Sequence, residues 1–221
     1  MRREIELTAD GSHTVSIPEL QVTYHSKHGA LQESMQVFIN PGLSVLLSAK
    51  PTETIRVLEI GLGTGLNALL SWQAASQCNK SVHFTSLEPF PLSDSEPSSL
   101  NYGTLLSMQP EFTQIHTCAW EKENSLSKVF TLHKKKISLL DFTEAGLFHC
   151  IYFDAFAPSV QPELWTKPVF EKLLSVLLPG GILLTYCSKS SVRHDMTAAG
   201  FLVTKIPGPR GKREMIRAEK R

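Results

Sequence analysis

The 221-residue sequence predicts an α/β fold. It has a seven-stranded, mostly parallel sheet closed by a C-terminal antiparallel hairpin, and a small β-hairpin and helix precede it. Three observations predict this. From about Thr54 onward, short apolar runs alternate with stretches of helical period, the pattern of a parallel sheet with helices on both faces. The last two apolar runs are joined only by Pro207-Gly208-Pro209-Arg210-Gly211, too short for a crossover helix, so they pair antiparallel. Near the N-terminus, Asp10-Gly11 stands between short alternating runs, a hairpin signal.

In the front section, Val15-Ser16-Ile17 and Gln21-Val22-Thr23-Tyr24 are the alternating runs. Residues 29–38 read as a short helix stopped by Asn40-Pro41-Gly42, because proline lacks the amide hydrogen that a helix interior needs. Residues 1–52 are therefore expected to form an appendage, and 53–221 the core. In the core the strand candidates are 56–60, 82–87, 130–133, 149–154, 182–186, 201–206 and 213–217. The helix candidates are 65–76, 98–107, 112–120, 167–177 and 190–199. The fourth strand is expected beside the first, at the point where strand order reverses and open α/β sheets bind ligands.

Composition narrows the function classes. The chain is 42% hydrophobic and 19% charged, which suits a globular protein with a real core. A net charge of +1 neither requires nor forbids a nucleic-acid partner, since the placement of charge decides binding. From Lys205 to Arg221 there are seven bases against two acids, and Arg210, Lys212 and Arg213 cluster in the last connection. Cys78, Cys118, Cys150 and Cys187 lie more than 30 residues apart, and the histidines lack metal-ligand spacing, so no metal site is expected. No apolar run approaches ~18 residues and no signal peptide is read, so no membrane partner and a cytoplasmic location are expected.

The strongest motif is Leu58-Glu59-Ile60-Gly61-Leu62-Gly63-Thr64-Gly65-Leu66-Asn67, an apolar strand entering a glycine-rich turn and then a helix. Glycines let backbone approach a ligand, and the exposed helix start offers N–H groups to an anion. A dinucleotide fingerprint would place its last glycine at position 66, where Leu66 stands, and no Gly-Lys-Ser/Thr of a P-loop follows. The glycines are instead Gly61, Gly63 and Gly65, with Glu59 two residues ahead. Glu88 closes the second strand, 25 residues after Gly63, where a carboxylate can accept from both ribose hydroxyls. Asp154 closes the fourth strand in Ile151-Tyr152-Phe153-Asp154-Ala155-Phe156-Ala157-Pro158, and an acid ending a buried strand is costly unless it has a partner or a task.

This pattern resembles the Rossmann-like class I methyltransferases, whose cofactor is S-adenosyl-L-methionine. The loop from Asp154 to Pro158 resembles the Asp/Asn-Pro-Pro-aromatic loops of amino methyltransferases. More specifically, the chain resembles the methyltransferase half of the bifunctional tRNA 5-methylaminomethyl-2-thiouridine biosynthesis (MnmC-like) family. Four stretches carry that resemblance: Tyr24-His25-Ser26 with Gly29, Glu33-Ser34 and Val37-Phe38; the glycine loop through Asn67; Phe153 to Pro158 with Pro162-Glu163-Leu164-Trp165; and Gly208-Pro209-Arg210-Gly211-Lys212-Arg213-Glu214-Met215. It implies N-methylation of 5-aminomethyl(-2-thio)uridine at the tRNA wobble position. Asp154 and Phe156 would be the catalytic residues. Glu59, Gly61, Gly63, Gly65, Asn67, Glu88, Ser138 and Asp154 would bind the cofactor. Phe156, Pro158, Arg210, Lys212 and Arg213 would meet the substrate nucleoside and the anticodon region of tRNA.

The chain departs from that family in two places. The flavin-dependent oxidase half is not among these residues, so a separate oxidase or aminomethyl-forming enzyme is the expected partner. The acid usual after the third strand, near the adenine, is missing; Ser138 or Asp141 stands nearby. The alternative function is methylation of a small amine or another metabolite with the same cofactor residues. Attack by a pyrimidine carbon would instead need a nucleophilic cysteine, and the nearest one, Cys150, reads as core.

Overall fold

The computed structural model of the chain describes residues 2–49, 53–144 and 146–221. It opens with a three-stranded antiparallel sheet of β1 (Glu4–Leu7), β2 (His13–Ile17) and β3 (Val22–Thr23). The first hairpin turns at Asp10-Gly11, as the sequence predicts. Asp10 has a second task there. Its Oδ1 accepts the Ser12 backbone N–H at 3.0 Å, and its Oδ2 accepts the N–H of Gln32 at 3.0 Å. The second bond satisfies a free donor at the start of α1 (Ala30–Ser34).

The stop expected at Asn40-Pro41-Gly42 does not occur. α1 continues as a π-helix, Met35–Leu43, with Pro41 inside it, and then as α2 (Ser44–Ala49). The wider π turn relaxes the i to i−4 ladder that proline breaks. Val37, Phe38, Ile39, Leu43 and Leu47 are all buried along this stretch, and that packing overrides the local stop signal. The boundary expected between 52 and 53 adjoins residues 50–52, which lie outside the described residues.

The main sheet begins with β4 (Ile55–Ile60), followed by α3 (Leu66–Cys78) and β5 (Val82–Leu87). Next come α4 (Tyr102–Leu105), α5 (Gln109–Thr117), β6 (Glu123–Ser125), β7 (Phe130–Lys135) and β8 (Phe148–Phe153). The chain closes with α6 (Lys167–Val176), β9 (Leu177–Thr185), α7 (Ser190–Ala198), β10 (Leu202–Pro207) and β11 (Glu214–Glu219). The spatial order is β10-β11-β9-β8-β4-β5-β7-β6. Pairing is parallel from β9 through β7 and antiparallel at both edges. The C-terminal hairpin is thus as expected, and the sheet has eight strands where seven are predicted. The eighth is β6, three residues reading Glu-Asn-Ser, too short and polar to show a strand period. The helix expected over 98–107 is reduced to a 3-10 turn at Pro97–Ser99 and the short α4.

β8 lies beside β4, and their register aligns the strand ends. Ile60 is opposite both Leu87 and Phe153. The Asp154 N–H donates to the Ile60 carbonyl at 3.2 Å, the Gly61 N–H to Leu87 at 2.9 Å and the Glu88 N–H to Lys135 at 2.9 Å. The first residues beyond three adjacent strands therefore leave the sheet side by side.

The sheet separates two cores. Leu58, Ile60, Ile151 and Phe153 face α6 and α7. Val57, Phe84, Leu132 and Tyr152 face α3 and the N-terminal helices. α3 is buried almost all round because the Met35–Leu43 helix covers its outer side. Among the described residues no helix is long and apolar enough to cross a membrane.

Trp72 of α3 is buried and stacks on Phe130 of β7 with ring centroids 5.3 Å apart and planes 3° apart. Trp72→Ala should cost about 3–5 kcal/mol of unfolding free energy, read from guanidinium melts. A loss below about 1 kcal/mol would show that this face is not close-packed.

Candidate active site

A cavity of about 1090 Å³ opens at the carboxyl ends of β4, β5 and β8. Ligands occupy this place in open α/β sheets because the strand order reverses there. The cavity floor is the turn after β4. Gly61 and Gly63 have φ of +93° and +50°. A Cβ on Gly61 would come 3.3 Å from the Asp154 carbonyl, and one on Gly63 would come 3.2 Å from the Tyr24 ring. Side chains here would be strained and would fill the space beside the loop.

Glu88 stands at the end of β5. One of its oxygens accepts the Gly63 N–H at 3.0 Å, and the other accepts the Phe90 N–H at 2.8 Å. A carboxylate has about four acceptor positions, so Glu88 still has capacity for hydroxyl donors. Asn67, on the first turn of α3, donates from Nδ2 to Asp154 Oδ2 at 2.9 Å. Burial pushes the Asp154 carboxyl up to about 7; Glu33 adds to the rise, while the Asn67 amide and the Lys212 ammonium oppose it. Glu59 lies beneath the loop, fully buried, and accepts the Ser86 hydroxyl at 2.7 Å. Burial holds its carboxyl well above the usual range.

The loop after β8 is pinned along its backbone. The Phe156 N–H donates to the Gln161 side chain at 2.9 Å, and Trp165 Nε1 donates to the Phe156 carbonyl at 2.8 Å. Tyr186 donates its hydroxyl to the Ala155 carbonyl at 2.9 Å. The Phe156 ring is half-exposed on the cavity wall and meets Tyr24 edge to face at 5.4 Å. Tyr24 follows β3, so the small N-terminal sheet forms a wall of the cavity. Its neighbour His25 is buried and shares a hydrogen bond with Thr64 of the glycine loop at 2.8 Å. Burial pushes His25 down to about 4, so it is neutral at pH 7.

The cavity therefore gathers Gly61, Gly63, Asn67, Glu88, Ser138, Asp154, Phe156 and Lys212. Ser138 lies on the wall, whereas Asp141 is exposed away from it. Glu59 is under the floor. Gly65 is the N-cap of α3 at φ +74° and faces His116 and Ile115, not the cavity. Pro158 is half-buried off the wall. Arg210 and Arg213 stay exposed on the hairpin turn, while Lys212 reaches inward to Glu33 at 2.9 Å. Tyr24, His25, Glu33, Gln161 and Tyr186 join the cavity wall without being expected as site residues from the sequence. Tyr24, His25 and Glu33 lie in a family-like stretch, which is the sequence signal that points to them. Cys150 is fully buried, and burial raises its thiol far above the usual range. Among the described residues no cluster of three or more His, Cys, Asp or Glu could hold a metal ion.

Comparison with known proteins agrees with this geometry. Residues 102–221 match the model of the S-adenosyl-L-methionine-dependent methyltransferase family. The chain is 30% identical over 230 residues to the tRNA 5-methylaminomethyl-2-thiouridine biosynthesis bifunctional protein MnmC of Cupriavidus metallidurans, covering 95% of this chain and 32% of that protein. It is 31% identical over 204 residues to the Leptospira interrogans protein of the same name, covering 87% of this chain and 32% of that one. The chain thus spans about a third of the length of these relatives. A crystal structure of MNMC2 from Aquifex aeolicus superposes with a TM-score of 0.83 at 26% identity, covering 100% of this chain and 70% of that one.

The residues present fit S-adenosylmethionine. One oxygen buried next to the loop, Asn67 Oδ1, has no hydrogen-bond partner in the protein, as expected of a group that a bound N–H donor completes. Glu88 suits a ribose diol, and the glycine turn leaves room for the ligand's backbone-like end. Gly63→Val should therefore abolish S-adenosylhomocysteine binding in calorimetry while the circular dichroism spectrum stays native. Native affinity in the folded variant would rule out this floor as the cofactor site.

Proposed function

The chain belongs to the S-adenosyl-L-methionine-dependent methyltransferase family, and on that premise we propose that it methylates the primary amine of 5-aminomethyl(-2-thio)uridine at the wobble position of tRNA, in the cytoplasm. The product is 5-methylaminomethyl(-2-thio)uridine. The observation that carries this reading is Asp154, an ionisable acceptor at the β8 end of the cavity, held by Asn67 within a backbone-pinned loop. The relatives named above support the tRNA substrate, and the amine would be supplied by a separate oxidase or aminomethyl-forming enzyme.

Bound S-adenosylmethionine supplies an electrophilic methyl group. What remains for the protein is to position the nucleophile and remove a proton, since an ammonium has no lone pair to attack with. Asp154 accepts a hydrogen bond from the amine and takes or shares its proton. Phe156 presents a half-exposed ring against which the pyrimidine stacks. Asn67 keeps the carboxylate oriented. Ser138 and the neighbouring Leu139 line the side on which the adenine would lie. Arg210 and Arg213, exposed on the turn beside the cavity, meet backbone phosphates.

Asp154→Ala should retain both ligands and lose ~100- to 10,000-fold in single-turnover methylation of tRNA carrying aminomethyluridine. The nucleosides are read by mass spectrometry, with free small amines as competing substrates. Because burial raises the Asp154 carboxyl to about 7, it is protonated below that pH, and the native rate should rise as pH passes through about 7. Asp154→Asn should lose that acid limb. A native rate in the alanine variant would make Asp154 structural, and turnover of free amines alone would favour a metabolite substrate.

The double variant Arg210→Ala/Arg213→Ala should weaken tRNA binding and flatten its salt dependence by about 0.7–0.9 in log–log slope for each lost contact. Cofactor affinity should not change. A native salt slope would leave these arginines as solvated surface charges.

A further inference from the structure

Glu88 is held by two backbone N–H groups, and each bond leads within one residue to a side chain of the front section. On one side the Gly63 N–H donates to Glu88 Oε2 at 3.0 Å. The next residue, Thr64, is buried, and its hydroxyl shares a hydrogen bond with His25 Nε2 at 2.8 Å. His116 Nε2, from α5, donates to the Thr64 carbonyl at 3.2 Å. On the other side the Phe90 N–H donates to Glu88 Oε1 at 2.8 Å. The Phe90 carbonyl accepts Arg3 Nη2 at 2.9 Å. Arg3 Nη1 donates to the Pro91 carbonyl at 3.3 Å and to Glu96 Oε2 at 3.1 Å. Arg3 directly precedes β1, and His25 follows β3.

Both peptide segments are poorly braced by their own backbones. The glycine turn has little stiffness of its own. Thr64 is the one side chain in Gly63-Thr64-Gly65, so it is the handle by which a neighbour can hold that run. After β5, Pro89-Phe90-Pro91 has a single backbone N–H, that of Phe90, because proline carries none. That one donor is used on Glu88. Arg3 reaches three acceptors on this segment with the fixed fork of its guanidinium, and its side chain is only 20% exposed.

An acceptor that meets both hydroxyls of a ribose works best when it stands in place before the ligand arrives, because ordering it on binding costs affinity. We propose that the front section is a positioning element of the cofactor site, in which His25 and Arg3 fix the Glu88 carboxylate from two sides for the ribose hydroxyls. The inference rests on the assignment of Glu88 to the ribose. His25 acts through Thr64 and Gly63, and Arg3 acts through Phe90, so neither needs to touch the cofactor. Both routes end on one carboxylate. The effect of either residue on cofactor affinity should therefore vanish when that carboxylate is removed. A front section that merely covered the cavity would support binding whether or not Glu88 was present.

The test is calorimetry of the full chain with S-adenosylhomocysteine, arranged as double-variant cycles. Glu88→Ala should weaken binding about 10- to 100-fold, the range for hydrogen bonds to a charged group. His25→Leu and Arg3→Met should each weaken it about 3- to 10-fold in the native background. In the Glu88→Ala background each should change it by less than about 2-fold. His25→Gln keeps an amide group for Thr64 and should recover most of the affinity. Circular dichroism checks the fold, and either residue tests the inference if the variant at the other does not fold. Native affinity in either single variant, or losses that persist in full without Glu88, would overturn the inference. So would equal losses in His25→Gln and His25→Leu, which would place the effect in packing. Native affinity in Glu88→Ala would remove Glu88 from the ribose, and with it the reading on which the inference stands.

Discussion

The parallel register of β4 and β8 is the constraint on which the site depends. Ile60 opposite Phe153 means that the glycine turn and the Asp154 loop start at the same height, and the Asp154 N–H to Ile60 carbonyl bond makes that alignment a local one. A shift of one residue would turn every side chain of β8 to the other face. Tyr152 would then leave the α3 core, and Phe153 would leave the face that packs on α6. Each strand is buried on both faces, so slipping would cost core packing on two sides at once. The precision of the cavity therefore comes from apolar packing far larger than any bond within it.

The parts legible in the sequence are those in which chemistry and local structure coincide. The turn from Glu59 to Asn67 announces itself because strand, glycines and helix start lie within a few residues. Asp154 is visible because an acid at the end of an apolar run is a local anomaly. The parts not legible depend on distant packing. Pro41 reads as a stop, but the helix passes it because Phe38, Ile39 and Leu43 are buried against the sheet and α3. β6 has no period to detect and exists only as the returning partner of β7. Lys212 reads as one of a basic trio, and only the fold shows that it turns inward while its neighbours remain outside. Tyr24 and Glu33 lie in a segment that looks like an appendage, yet they wall the cavity.

That last point changes how the front section is understood. Residues from the small sheet and α1 touch the glycine loop through His25 and Thr64, and the C-terminal hairpin through Glu33 and Lys212. The two ends of the chain thus meet over the carboxyl edge of the sheet. A cavity floor made by the sheet alone would be open to water on this side. With the front section in place, the floor faces Tyr24 and Phe156, and water near Asp154 is reduced, which strengthens every charge interaction there.

The burial that raises the Asp154 carboxyl opposes the fold at neutral pH. A carboxyl raised from near 3.8 to about 7 binds a proton more readily folded than unfolded. The folded state is therefore favoured below the unfolded value, and that advantage is lost as pH rises from about 4 through about 7. Glu59, buried and raised for the same reason, adds a cost of the same sign. The cavity wall also carries Glu33, Glu88 and Glu163, against Arg3 and Lys212 as cations. An acid-rich wall is a poor stabiliser of an empty protein, but it complements a cationic ligand such as the sulfonium of S-adenosylmethionine. Binding of such a cation lowers the electrostatic cost that gathered carboxylates impose, so the charge arrangement that disfavours the empty site favours the ligand.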